Sequence, residues 1–119
     1  MQLLIPTFNR SAKLNRTLEA YSYVRNEHNT KIIVLDGSNS EHRKNNIHTC
    51  KKYKFEYHHY GESLSMLERV LKHLKSSTVC EITILGNDED VFLPIYLNQS
   101  KKFLVENSDY SSYIGRYIT

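Results

Sequence analysis

Apolar positions in this chain follow two rhythms. Short aliphatic runs alternate with stretches in which large apolar side chains return every three or four residues. Gln2–Ile5 is a short apolar run stopped by Pro6, the pattern of a buried strand whose exit proline sets. From Ser11, a residue suited to cap a helix, Leu14, Leu18 and Tyr21 recur at helical spacing and predict an amphipathic helix to about Arg25. Asn26–Thr30 is polar and reads as a loop. Lys31–Leu35 (KIIVL) is a continuous run, as expected of a strand covered on both faces, and Asp36-Gly37-Ser38-Asn39 is a turn at its end. Residues 40–52 are polar and predict a loop with some helical turns. Tyr53–Tyr57 alternates aromatic and charged residues, predicting a third strand nearer an edge.

After Gly61, Leu64, Leu67, Leu71 and Leu74 mark a second helix whose leucine stripe is expected to be core. Glu81–Leu85 predicts a fourth strand, Pro94 opens a third helix to about Glu106, and Tyr110–Gly115 suggests a fifth strand. Strands that alternate with helices imply parallel pairing, and right-handed crossovers then wind helices onto both faces. The expected fold is α/β, a mostly parallel doubly wound sheet in a single domain spanning residues 1–119. Sheets of this kind bind ligands at the carboxyl ends of their strands. That rule selects three loops: Pro6–Arg10, Asp36–Ser40 and Gly86–Asp90.

Composition narrows the class. With 119 residues and 39% apolar positions, the chain can bury one core and excludes a multidomain protein or a disordered tail. No apolar run approaches the ~18 residues of a membrane helix, and no basic segment precedes the first apolar run as in a signal peptide. Cys50 and Cys80 form no CxxC and read as reduced thiols of a cytoplasmic protein. Peripheral contact with a membrane stays open. The net charge is +3, carried by residues 1–60, with a basic run at Arg43, Lys44, Lys51, Lys52 and Lys54. Such a run is usually a solvated face; it accompanies no nucleic-acid motif, and no nucleic-acid partner is expected.

The three loops carry the candidate chemistry. Asp88, Glu89 and Asp90 are consecutive acids after a core strand, and Asn87 adds an amide oxygen. Acids this close repel, and a hard cation such as Mg²⁺ or Mn²⁺ would offset them and bridge to a diphosphate; a solvated turn or a helix N-terminus is the plain alternative. Asp36 can accept hydrogen bonds from a ligand or simply form an Asx turn. Arg10 can bind a diphosphate through its planar fork, or Asn9 and Ser11 are only helix caps. There is no GxGxxG or GxxxxGK[ST] phosphate cradle, which argues against a dinucleotide dehydrogenase and a P-loop NTPase. His58 and His59 are adjacent, so in a strand they face opposite ways and do not easily share a metal.

LLIPTFNR at the start, IIVLDGSNS after the second strand and LGNDEDVFLP after the fourth resemble, in that order, the nucleotide-binding half of GT-A glycosyltransferases, family two in particular. SDYSSYIGRYI is similar to the continuation in a bacterial subgroup. The resemblance implies a Rossmann-like fold and transfer of a sugar from a nucleotide-diphosphate donor, UDP-linked, to an acceptor hydroxyl. It places Pro6, Thr7, Asn9 and Arg10 beside the base, Asp36 on the uracil, and Asp88 on the nucleotide. Asp88, Glu89 and Asp90 would hold Mn²⁺ or Mg²⁺. Leu35 stands where the first acid of the turn is expected, and Asn87 replaces an acid in one register. The family's acceptor-binding half, with its catalytic base, would follow this stretch, and no residue here is a candidate for that base. A non-catalytic nucleotide or nucleotide-sugar binding module is the alternative.

Overall fold

The computed structural model describes residues 1–27, 29–77 and 80–114. Four strands, β1 (Gln2–Thr7), β2 (Lys31–Asp36), β3 (Glu56–His59) and β4 (Thr83–Leu85), form one sheet in the order β3-β2-β1-β4, and every pairing is parallel. The helices are α1 (Ser11–Tyr23), α2 (Ser40–Tyr53), α3 (Met66–Ser76) and α4 (Pro94–Glu106), with a 3-10 turn at Arg25–Glu27. This is the expected α/β, Rossmann-like arrangement. No helix among the described residues is long and apolar enough to cross a membrane.

Alternate strand residues build two core layers. Leu3 and Ile5 of β1 with Ile32 and Val34 of β2 pack against Leu14, Leu18 and Tyr21 of α1 and Cys50 of α2. Leu4, Ile33 and Leu35 point the other way and meet Val70 of α3. Period-two alternation in both central strands thus feeds helices on both faces.

Pro6 does not end β1. Gln2 donates its N–H to Ile82 O, and Leu4 O accepts from the Gly86 N–H, so even-numbered residues of β1 bond toward β4. Pro6 follows in the same phase, beyond the last β1–β4 pair, Leu4↔Leu85, so its missing N–H removes no ladder bond. On the other side β1 stays paired with β2 through Thr7↔Asp36. The sheet therefore splits open between β1 and β4 at Pro6.

Three expectations are corrected. Residues 40–53 are a full helix, not a loop with some turns. Asn39 caps it by accepting from the His42 N–H at 3.2 Å, and Lys54 in the left-handed region (φ 57°) closes it. The third strand is displaced to Glu56–His59, because that helix consumes Tyr53 and its cap Lys54; β3 is an edge strand as expected. Residues 110–114 form no strand, and Gly115 lies outside the described residues.

The leucine stripe of α3 is also misplaced as core. Its sheet-facing side is Arg69, Val70 and His73, with Leu74 half-buried, whereas Leu67 and Leu71 are 59% and 46% exposed. A capping box sets the start of this helix: Ser65 N–H donates to Glu68 Oε2 at 2.7 Å, and Glu68 N–H to Ser65 Oγ at 3.3 Å.

Candidate functional site

Strand order places the site. From β1 the chain winds outward through β2 and β3, then crosses back to β4 on the other flank of β1. The crevice between β1 and β4 is the topological switch point, where open α/β sheets take ligands at their carboxyl edge. The β1–β4 pairing ends at Leu4↔Leu85, so the crevice opens beside Pro6.

The three loops selected from the sequence meet here. Asn9 sits in the left-handed region (φ 53°), a conformation that asparagine tolerates better than most residues. Its N–H donates to Ser38 Oγ at 2.8 Å, and its Oδ1 accepts from the Asn39 N–H at 2.9 Å. Gly37 N–H donates to Thr7 O at 3.1 Å. These bonds stitch the first loop to the second. On the other side, Thr7 Oγ1 donates to Asp88 Oδ2 at 2.7 Å, and Thr17 Oγ1 to Asp88 O at 3.0 Å. Arg10 spans the crevice with one nitrogen 3.0 Å from Asp88 Oδ1 and another 2.6 Å from Glu89 Oε2. Lys13 also contacts Glu89. Ser11 does not cap α1; Arg10 holds the cap position, and Ser11 Oγ lies 2.8 Å from His42 Nδ1.

Asp36 is fully buried at the tip of β2. Ser38 N–H donates to its Oδ1 at 2.8 Å, while Asn46 Nδ2 and the Tyr57 hydroxyl donate to Oδ2 at 3.0 and 2.7 Å. A carboxylate has about four acceptor positions, so three protein donors leave little capacity over. Burial and then the bond to Asp36 push the Tyr57 hydroxyl far above its usual pKa. Arg69 lies behind this cluster and is itself buried, with Nη1 donating to Leu64 O at 2.8 Å and Nε without a partner. Its guanidinium stands 5.9 Å from the ring centre of Phe8, which is half-exposed. A Cβ on Gly37 would come within 2.2 Å of Arg69 Nη1, so this close approach requires glycine.

The acidic triplet does not converge on one point. Asp88 turns inward, and Glu89 turns to Arg10 and Lys13. Asp90 Oδ2 accepts from Asn87 Nδ2 at 2.5 Å. Asn87 Oδ1 in turn accepts the Glu89 and Asp90 N–H groups at 2.9 and 2.8 Å, bracing the loop as an Asx turn. Hydrogen bonds from Lys13 and Arg10 hold the Glu89 carboxyl down to about 2. The repulsion that would call for a cation is thus met by two basic side chains. Among the described residues no group of three His, Cys, Asp or Glu is placed to hold a metal ion.

The chain matches no protein-family model and no curated protein.

Every residue singled out in the three loops therefore lies at one edge. Pro6 stands where the crevice opens, Thr7, Arg10 and Asp88 cross it, Glu89 and Asp90 form its rim, and Asn9 ties it to the adjoining loop after β2, where Asp36 is buried. Sequence reasoning missed Lys13, Asn46 and Arg69, and read Tyr57 as packing or as a stacking surface for a base or sugar, not as the donor to Asp36 that it is. Lys13 was legible, since it follows Arg10 by three residues and shares its helical face. Asn46 and Arg69 come from elements whose buried sides are polar, which an apolar period does not reveal. His58 and His59 do face opposite sides of β3: the His58 ring is 5.0 Å from that of His73 on α3, and His59 Nε2 is 3.2 Å from Ser38 O.

Proposed function

We propose that this chain binds the nucleotide-diphosphate part of a sugar donor at the crevice between β1 and β4, as the donor-binding part of a glycosyltransferase. The observation that carries the reading is Arg10, a planar cationic fork held across the switch-point crevice by Asp88 and Glu89. An incoming diphosphate competes with Glu89 for Arg10 and Lys13, and a bidentate phosphate contact replaces the carboxylate contact. Phe8, half-exposed at the same edge with the Arg69 guanidinium behind it, suits a planar base by stacking. The resemblance to family-two enzymes favours uridine and a sugar transfer that inverts the anomeric centre.

Binding without transfer is the second reading. It is favoured by the state of the edge carboxylates: Asp36, Asp88, Glu89 and Asp90 are each engaged by protein donors, which leaves none of these four free to deprotonate an acceptor.

Calorimetry with UDP, uridine and pyrophosphate, each with and without Mn²⁺, tests the proposal. UDP should bind tighter than either fragment, and Arg10→Ala should weaken UDP and pyrophosphate alike while sparing uridine. Absence of UDP binding under both metal conditions overturns it. Donor turnover, monitored in the same samples, separates the enzyme from the binding module.

A further inference from the structure

The outward flank of α2 carries a band of cations that the candidate site does not use. Lys44, His48, Lys51 and Lys52 are all exposed and fall within about 100° of one another around the helix axis. Lys54 is exposed just past the helix end, whereas Arg43, also exposed, lies on the side of α2 toward β3, where its charge acts on Tyr57. Among the described residues, Arg43, Lys44, Lys51 and Lys54 form no ion pair. Glu41 on α2 and Glu19 on α1 are the acids bordering the band, and Glu19 acts on the Lys52 charge.

Helix stability does not account for the band. Lys51 and Lys52 suit the negative end of the helix dipole, but Arg43 and Lys44 lie toward the positive end, where cations are unfavourable. Like charges along one face repel. The packing of α2 rests on Asn46, Thr49 and Cys50 on the opposite side. A partner rich in negative charge relieves this repulsion.

The shape of the band selects the partner. The cations ride the convex side of a helix about 20 Å long, not a groove. Strand-tracking nucleic-acid sites are grooves with aromatic stackers along them. Two tyrosines stand at this flank: Tyr53, whose hydroxyl accepts a hydrogen bond from Lys52 Nζ at 2.9 Å, and Tyr23, 78% exposed at the end of α1. Tyrosine beside lysine is the composition of a membrane interface. We infer that the α1–α2 flank docks on an anionic lipid surface through Lys44, Lys51, Lys52 and Lys54, with Tyr23 at headgroup level. Because α2 leads from the carboxyl edge of β2 back to the start of β3, on the flank of the sheet away from β4, such docking leaves the crevice between β1 and β4 open. The inference is independent of what the crevice binds.

Co-sedimentation of the chain with phosphatidylcholine vesicles containing about one-third phosphatidylserine tests it. The chain should pellet with these vesicles and not with pure phosphatidylcholine, and about 0.5 M salt should weaken binding roughly tenfold. The double variant K44E/K51E should bind about tenfold more weakly with an unchanged melting curve, because both side chains are exposed. A neutral pair, K44Q/K51Q, guards against misfolding of the first and should fall between it and the parent. Equal pelleting with both vesicle types, no pelleting with either, or parent-like binding by the folded variants overturns the inference. So does a single-stranded RNA that displaces the chain from the vesicles, which would reassign the face to nucleic acid.

Discussion

Thr7 Oγ1 donates to Asp88 Oδ2 at 2.7 Å, both residues being buried. The bond joins the last residue of the central strand to the loop after the edge strand, and it holds Asp88 where Arg10 can reach it. Thr7→Val keeps the shape and removes the donor. The buried carboxylate then lacks one partner, which costs about 1–3 kcal/mol. Urea unfolding should show that loss, and diphosphate binding should weaken with it. A variant as stable as the parent means that the bond does not brace the crevice.

Glu89 decides whether basic side chains or a metal carry the diphosphate. If Arg10 and Lys13 carry it, Glu89→Gln frees both, and pyrophosphate binding without metal should tighten several-fold. If a metal carries it, the same change removes a ligand, and Mn²⁺-dependent binding should fall. Calorimetry in the presence and absence of Mn²⁺ distinguishes the two by sign. The Glu89 pairing also has a pH signature. Its folded carboxyl lies below the usual 4.5, at about 2, so the contact is complete above pH 4.5 and fades as pH falls toward 2. Carboxyl NMR of Glu89 should report that low midpoint.

The orientation of α3 predicts an inverted mutational pattern. Val70→Ala removes buried methyl groups and should destabilise by about 1–3 kcal/mol. Leu67→Ser and Leu71→Ser, on the outward side, should each stay within about 0.5 kcal/mol. Chemical denaturation of the three variants checks the order. A large loss at Leu71 would mean that the leucine side, not Val70, faces the sheet.

That inversion shows what was legible in the sequence. β1 and β2 were plain, because a twice-covered strand reads as one continuous apolar run, and the three loops at the carboxyl edge followed from strand order. For α3 the apolar period was real, yet the helix has two apolar sides, and spacing does not say which one meets the sheet. Polar contacts decide it: Tyr60 OH lies 2.8 Å from His73 Nδ1, and Arg69 reaches Leu64 O. For α2 the period was missing, since its buried positions are Asn46, Thr49 and Cys50, and the caps Asn39 and Lys54 carried the signal instead. Lys54 is a lysine where glycine is usual, so the stop was hard to read. The acidic triplet was correctly placed, but its charge balance needs Arg10 and Lys13, which lie more than seventy residues away in sequence.

His73 predicts a loss of stability in mild acid. It is 2% exposed, its Nε2 has no partner, and burial together with the nearby His58 and Lys31 lowers its pKa, while Glu56 opposes them. The Tyr60 hydroxyl faces its other nitrogen. The unfolded chain therefore takes up a proton first as pH falls below about 6.5, and stability drops through that window. Thermal melts should show a lower midpoint at about pH 5 than at about pH 7.5, and His73→Leu should flatten the difference. An unchanged slope in the variant assigns the loss to other groups.

β1 lies in the middle of the sheet, yet its two neighbours arrive at different times. β2 pairs with it after a short excursion of chain, whereas Thr83, opposite Gln2, is made some eighty residues later. On the ribosome, β1, β2 and β3 can assemble while the other side of β1 still presents bare N–H and C=O groups flanked by Leu3 and Leu4. That half-built sheet is the species most prone to cling to a second nascent chain, and synthesis speed between Gly61 and Thr83 should govern how much protein reaches its native state.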